Sequence, residues 1–354
     1  MSSENRKRYH QHRLKRIVIS LALILAIFII AVYSLCINDF PVSFEEAIKA
    51  ISDRLNGIEP STYIDRMIDN VVIEDNAPRA IAAVLIGIIL AFSGAVMQTV
   101  THNPLAEPYT IGISSAALFG VTLAIILGVS FVPGLSGNDA AMVNAFIFAM
   151  IPAMAIVTIS SMKKISPNMM ILVGIGMMYM FSAVTTFLKF NASEEDLQEI
   201  YIWGLGTFDM IGWDAIIPLL IAALMIFIGF MVLSGRINLL MAGDNVCQTL
   251  GVNPIQTRIV CFVLVSVGVA VAVCYTGTIG FVGLVAPHIA RLITGNNNKI
   301  LLPVSALTGT LLILVSETIV RTLPGGMPMG VITALIGSPI FLYFLFKQRR
   351  KSTF

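Results

Sequence analysis

Apolar residues run almost unbroken over 17–37, 77–100, 109–132, 140–162, 169–190, 215–234, 259–280, 300–320 and 329–346. Each of these nine runs approaches or exceeds the ~20 residues that carry an α-helix across a bilayer. A tenth run, 281–294, is apolar but too short for an ordinary crossing. It predicts a short, partly re-entrant helix that returns the chain to the side it left, supported by neighbouring helices. The pattern predicts an all-α polytopic membrane protein of about ten transmembrane helices, one of them short.

The polar stretches between these runs set the orientation. Lys and Arg in short loops near the spans mark the cytoplasmic side. The first tail carries Arg6, Lys7, Arg8, Arg13, Lys15 and Arg16. With ten crossings the same side holds Lys163, Lys164, Arg236, Arg258, Arg291, Lys299 and the closing Lys347, Arg349, Arg350 and Lys351. The opposite side receives 38–76, rich in acids, and 191–214, which has acids and no Lys or Arg. Both termini are therefore expected in the cytoplasm. The organisation is a basic tail 1–16, a membrane domain 17–347 with an external segment 38–76 and a cytoplasmic segment 236–258, and a tail 348–354.

Two external stretches read as helices. Ser43 with Glu46 three residues on forms a capping box. Ala47, Ile48, Ile51 and Leu55 then share one face. Residues 192–200 form a similar acidic patch, and Trp203 and Trp213 after it fit an interfacial aromatic belt.

Composition narrows the class. Of 354 residues, 57% are hydrophobic and 12% charged, and the mean hydropathy is +0.89. Soluble domains are ~45–50% apolar and ~25% charged, so a soluble enzyme, a disordered chain and a nucleic-acid partner are excluded. Cys36, Cys247, Cys261 and Cys274 form no C-x-x-C pair; neither metal nor other cofactor is expected. No G-x-x-x-x-G-K-[ST] pattern occurs, so the chain is read as hydrolysing no nucleotide itself.

Five stretches depart from generic membrane sequence. Pro78-Arg79 opens the second span, where Arg79 is either a snorkelling anchor or a contact for an acidic partner. Gln98, His102, Asn103, Pro104 and Glu107 make a polar set larger than a turn needs, in a segment broken by Pro104 and Pro108. In 236–258, Asp244 is expected to cap a short helix begun after Gly243, and Gly251 to end it. That helix is either a surface helix or a coupling helix for a motor subunit. Pro287, His288 and Arg291 lie in the short helix, where a packed histidine is the plainer reading. Glu317 and Arg321, at i and i+4, pair internally unless Arg321 turns outward to a partner.

Together these stretches resemble the permease subunit of ABC importers for iron–siderophore chelates, haem and cobalamin. The family's pattern is matched by Pro78-Arg79, by Gly94, Gln98 and 103–108, by 238–252, by 280–291 and by 301–307, in the family's order. The resemblance implies a permease built of two copies of this chain around a central pathway, with two ATPase subunits below and an extracytoplasmic substrate-binding protein above. It implies docking of that protein on Arg79 and Arg321. ATPase coupling falls to Asn238, Leu239, Leu240, Gly243, Asp244, Leu250 and Gly251. The cytoplasmic tip between spans four and five offers Ser166, Pro167 and Asn168 as gate candidates. Asn76 stands where the family often has a further arginine.

A secondary transporter would need a carboxylate near the bilayer midplane, whereas the acids here sit in loops or at span ends, with Glu107 and Glu317 nearest the membrane. A membrane enzyme would need a polar catalytic cluster, offered only near His102 and Glu107. A channel would need a repeated filter-like segment. Siderophore, haem and cobalamin permeases share the motifs, and an iron chelate is the expected cargo.

Overall fold

The computed structural model describes residues 3–38, 40, 42–162, 166–323 and 326–351. Lys163 and Lys164 lie outside the described residues, as do the side chains of 3–12 and 347–351. The chain forms α1 (Ser3–Ser34), α2 (Phe44–Leu55), α3 (Tyr63–Asp69), α4 (Ala77–Val100), α5 (Ile113–Leu127), α6 (Gly137–Met162), α7 (Pro167–Lys189), α8 (Glu194–Leu205), α9 (Ile216–Met241), α10 (Asp244–Thr249), α11 (Pro254–Thr276), α12 (Val282–Thr294), α13 (Asn298–Thr322) and α14 (Met329–Lys351). Ten of these, α1, α4 to α7, α9 and α11 to α14, follow the ten apolar runs. Among the described residues, seven segments are long and apolar enough to cross a membrane, with 113–127, 282–294 and 329–344 as shorter apolar helices. The basic N-terminal stretch from Ser3 continues the helix of the first span.

The bundle is organised around α4, which packs against α9, α11, α12 and α13. Its most apolar window is 83% buried, against 6% for α1, which rests chiefly on α13 and otherwise faces outward. Between apolar helices in lipid, close packing replaces the hydrophobic drive, and small residues permit it. A Cβ at Gly94 would lie 1.8 Å from the carbonyl oxygen of Gly283, so only glycine lets α4 and α12 meet there.

The third span is shorter than the expected 109–132. After α4 the chain turns back into the bundle: Pro108 lies against Gly283, and the Tyr109 hydroxyl accepts a bond from the Ile279 N–H at 3.4 Å. A 3₁₀ turn Pro108–Ile111 and a left-handed Gly112 then start α5 part-way along the bundle, and left-handed Gly128 ends it. Fifteen residues make a helix of about 22 Å. Such non-helical backbone is tolerated at depth because it is enclosed by protein.

The segment between α1 and α4 holds two helices, where the hydrophobic pattern predicts one. The Ser43–Glu46 capping box forms, and a second one, Thr62–Asp65, opens α3. A π-helical turn Asn70–Asn76 carries α3 into α4. Val42, Ala47, Ala50, Ile68, Val72 and Ile73 make their own small core. The face anticipated for α2 is therefore displaced: Ala47 is buried, but Ile48 and Leu55 are exposed, because α3 and the π turn cover the Ala47–Ala50 side. Ser193 and Asp196 form a third capping box at α8. Trp203 is buried rather than interfacial, while Trp213 is exposed and donates from Nε1 to the Ile73 carbonyl at 2.9 Å.

Candidate functional site

Hydrogen bonds group the helix ends into two clusters. The first surrounds α10. Its helix has six residues, too few to be stable alone, and the sequence fixes it at both ends. Gly243 (φ 105) precedes it and Gly251 (φ 76) follows it. Gly251 N–H donates to the Gln248 carbonyl at 3.0 Å and Val252 N–H to the Cys247 carbonyl at 2.8 Å, a complete Schellman ending. Asp244 does not cap the helix as expected. The N-cap is Gly243, with no side-chain bond, and Asp244 turns to Arg258 on α11 instead. Arg258 Nη2 and Nη1 donate to Asp244 Oδ1 and Oδ2 at 2.6 and 2.9 Å, and Nε donates to the Val100 carbonyl at 3.0 Å. Arg258 is only 1% exposed. Its bonds hold the Asp244 carboxyl below the ordinary aspartate range, partly opposed by burial. His102 Nε2 lies 3.4 Å from Arg258 Nη2. Since a guanidinium only donates, that nitrogen accepts.

One buried arginine thus joins α10, α11 and the last carbonyl of α4. From the sequence Arg258 counts only as a loop charge; its place directly before the apolar run 259–280, one turn after the helix-starting Pro254, was the available signal, since such a cation survives burial only when partnered. Asn238 adds a second tie: its Oδ1 accepts from the Asn298 backbone N–H at 2.8 Å and from Nδ2 at 2.9 Å, and its Nδ2 donates to Asn297. Of the leucines expected to meet a motor subunit, Leu240 is fully buried and Leu239 half-buried against the core. Leu250 is exposed as expected, and Val246 and Met241 add further exposed apolar surface.

The second cluster lies at the other end of the bundle. Arg321 Nε donates to Glu317 Oε1 at 2.9 Å. Its Nη1 donates to Asn76 Oδ1 at 2.6 Å and to the Ser34 carbonyl at 3.0 Å. Asn76 in turn donates to the Leu35 and Ile37 carbonyls. The side chains of Arg321 and Glu317 are 6% and 2% exposed, so within this chain the internal pair is formed. Asn76, noted in the sequence only as a departure, clamps α1, α4 and α13 together. Arg79 is more open and reaches Asp209 at 3.5 Å. Arg79 Nε and Arg321 Nη2 have no hydrogen-bond partner among the described residues.

The remaining predicted residues separate by role. Asn103 Oδ1 accepts from Leu105 N–H at 2.9 Å, and Pro104 follows in the same turn, so this pair is structural. The Glu107 carboxylate lies close to the backbone N–H of Phe281. Phe281 is the left-handed N-cap of α12 (φ 69), so Glu107 sits at the start of that helix. Gln98, His288 and Arg291 meet in one cavity of about 430 Å³, with His102, Pro104 and Phe344 also in its wall. Pro287 is buried inside α12. Ser166 caps α7, accepting from Met169 N–H at 3.4 Å, with Pro167 as its first residue and Asn168 exposed.

Residues 23–347 match the FecCD transport family. The chain is 36% identical over 280 residues to a protein of Helicobacter pylori described as an iron chelatin transport system permease, covering 79% of this chain and 83% of that one. It is 36% identical over 272 residues to the cobalamin import system permease protein of Halobacterium salinarum, covering 76% and 71%. Among solved structures, one described as an inward-facing ABC transporter of metal-chelate type superposes with a TM-score of 0.80 at 30% identity, covering 93% of this chain and 99% of that one. The chain belongs to the FecCD transport family and is the membrane permease of an ABC importer.

Proposed function

We propose that this member of the FecCD family carries an iron chelate of siderophore type across the cell membrane, as a pair of identical chains driven by two separate ATPase subunits. The single observation that carries the coupling is the Arg258–Asp244 pair. It fastens α10, with Leu250, Val246 and Met241 exposed, to the end of α4. A push on α10 is passed by that arginine to the most buried helix of the bundle. A permease needs no chemistry of its own. It must present a cavity to one side and then the other, and an external motor must supply the bias, since a cargo shifts such an equilibrium only by its differential affinity.

On this reading α10 faces the cytoplasm and the Arg79 and Arg321 cluster faces out, beneath the binding protein. Arg79 is the more available docking group, being less buried and more weakly paired. Ser166, Pro167 and Asn168, at the start of α7, stand as the cytoplasmic gate. The H. pylori relative and the metal-chelate transporter favour an iron chelate; the equal identity of the cobalamin permease favours a corrinoid as the second reading. The test is uptake in proteoliposomes holding the permease, its ATPase and the binding protein from the neighbouring genes. Accumulation of labelled ferric siderophore, and none of cobalamin, is expected. The reverse result establishes the corrinoid reading.

A further inference from the structure

The cavity between α4, α12 and α14 is the least explained feature of the bundle. Its polar lining is Arg291, His288 and His102 with Gln98 and Asn296; its apolar lining includes Leu292, Met241 and Phe344. Arg291 is half-buried and bonds the Gln98 side-chain oxygen, a neutral partner. It has no carboxylate partner among the described residues, unlike Arg54, Arg79, Arg258 and Arg321. Asp244, which lies near His102, is already engaged by Arg258. His288 Nδ1 donates to the Leu284 carbonyl at 2.8 Å, and its ring packs edge-on against Phe341, so its orientation is fixed. Leu292 is 64% exposed at the mouth, which leaves the cavity open beside the apolar surface of the bundle. A half-buried cation without a counter-charge, flanked by imidazoles and amides and opening beside apolar surface, calls for an anion attached to a hydrocarbon body.

We propose that this cavity binds a phosphate-type anion, supplied by the headgroup of an anionic phospholipid in the leaflet on the α10 side. Basic pockets between helices at that level suit such headgroups. Calling the leaflet cytoplasmic rests on the orientation proposed above; binding to the cavity does not.

The test is phospholipid retention by the purified full chain in detergent micelles, read by native mass spectrometry, with phosphatidylglycerol against phosphatidylcholine. Wild type is expected to retain the anionic lipid selectively. Arg291→Gln should lower that retention roughly fivefold, the worth of one cationic contact. Asn296→Asp, at an exposed position on the rim, adds a repelling carboxylate without disturbing the interior and should lower it similarly. Thermal shifts separate the sources. Stabilisation by phosphatidylglycerol but not by excess inorganic phosphate identifies a lipid headgroup; stabilisation by both identifies an anion site open to soluble phosphate. Equal retention of the two lipids by wild type, or undiminished selectivity in Asn296→Asp, overturns the site. Because the measurement is made in micelles, it stands whichever way the cysteine labelling described below orients the chain.

Discussion

Arg258 and Asp244 lie fourteen positions apart, and two guanidinium nitrogens of the first meet both carboxylate oxygens of the second, at 2.6 and 2.9 Å. The paired geometry adds direction to the attraction. Arg258 is buried while the Asp244 side chain is 41% exposed, so the arginine loses more when the pair is broken. Asp244→Ala should destabilise the chain by about 2 kcal/mol, below the ~3–5 of fully enclosed pairs because the aspartate is partly screened. Arg258→Met, alone and combined with Asp244→Ala, completes the set, and the double change should recover part of that loss, since no cation is then left buried. Thermal unfolding of the four proteins in one detergent gives the cycle; strict additivity would show that the pair contributes nothing.

The same pair sets a pH dependence. The Asp244 carboxyl is held below its unfolded value of ~3.9. A depressed carboxylate contributes stability that is present above the unfolded value and lost as pH falls through the folded one. Amide exchange in 244–251 should therefore be insensitive to this group from pH 8 down to about 5 and should rise in stronger acid. Asp244→Asn should remove that acid step while already exchanging faster at neutral pH.

At the opposite cluster the two arginines should behave differently. Arg321→Glu places a second buried carboxylate one turn from Glu317 and should cost roughly 3–5 kcal/mol. Glu317→Lys in the same chain should restore folding. Arg79→Glu, at a more exposed site, should leave folding intact and weaken the complex with the binding protein; a Glu→Lys change on that protein should restore part of it. Retention in pull-downs after each change decides between the roles.

The α10 surface separates coupling from folding. Leu250 is 59% exposed, so Leu250→Arg should leave the melting temperature unchanged while the ATPase is lost from the complex or ceases to respond to loaded binding protein. Gly251→Val forces a β-branched residue to φ 76 and should cost about 1–2 kcal/mol locally, with the same uncoupling. Normal stimulated ATP hydrolysis in both variants would reduce α10 to a surface helix.

The orientation is checked by single cysteines in an otherwise cysteine-free chain. Glu59 and Glu195 should react with an impermeant reagent added outside whole cells, and Asn245, exposed beside Asp244, should not. Labelling of Asn245 from outside would reverse the proposed topology.

The order and number of the membrane helices were legible in the sequence because an apolar run of bilayer length has few other stable forms. The short tenth run emerged as α12, and the signals at Ser43 and Gly251 were local enough to read, since a cap depends on residues within one turn. Family membership was legible for a related reason: several short motifs stood in a fixed order. What depended on distant pairing was not. Asp244 read as a cap because its only sequence neighbour of consequence was Gly243, and its partner Arg258 becomes visible only when α10 folds back on α11. Asn76 read as a missing charge, yet the bundle uses it to tie α1 to Arg321. Glu107 read as one of a polar set at a span end, and the inward return of residues 101–112 brings it to the start of α12. In each case the side chain's role was set by which helix ends the packing brought together. Apolar periodicity carries no record of that, because it fixes which face is buried and leaves open what the polar residues on that face will meet.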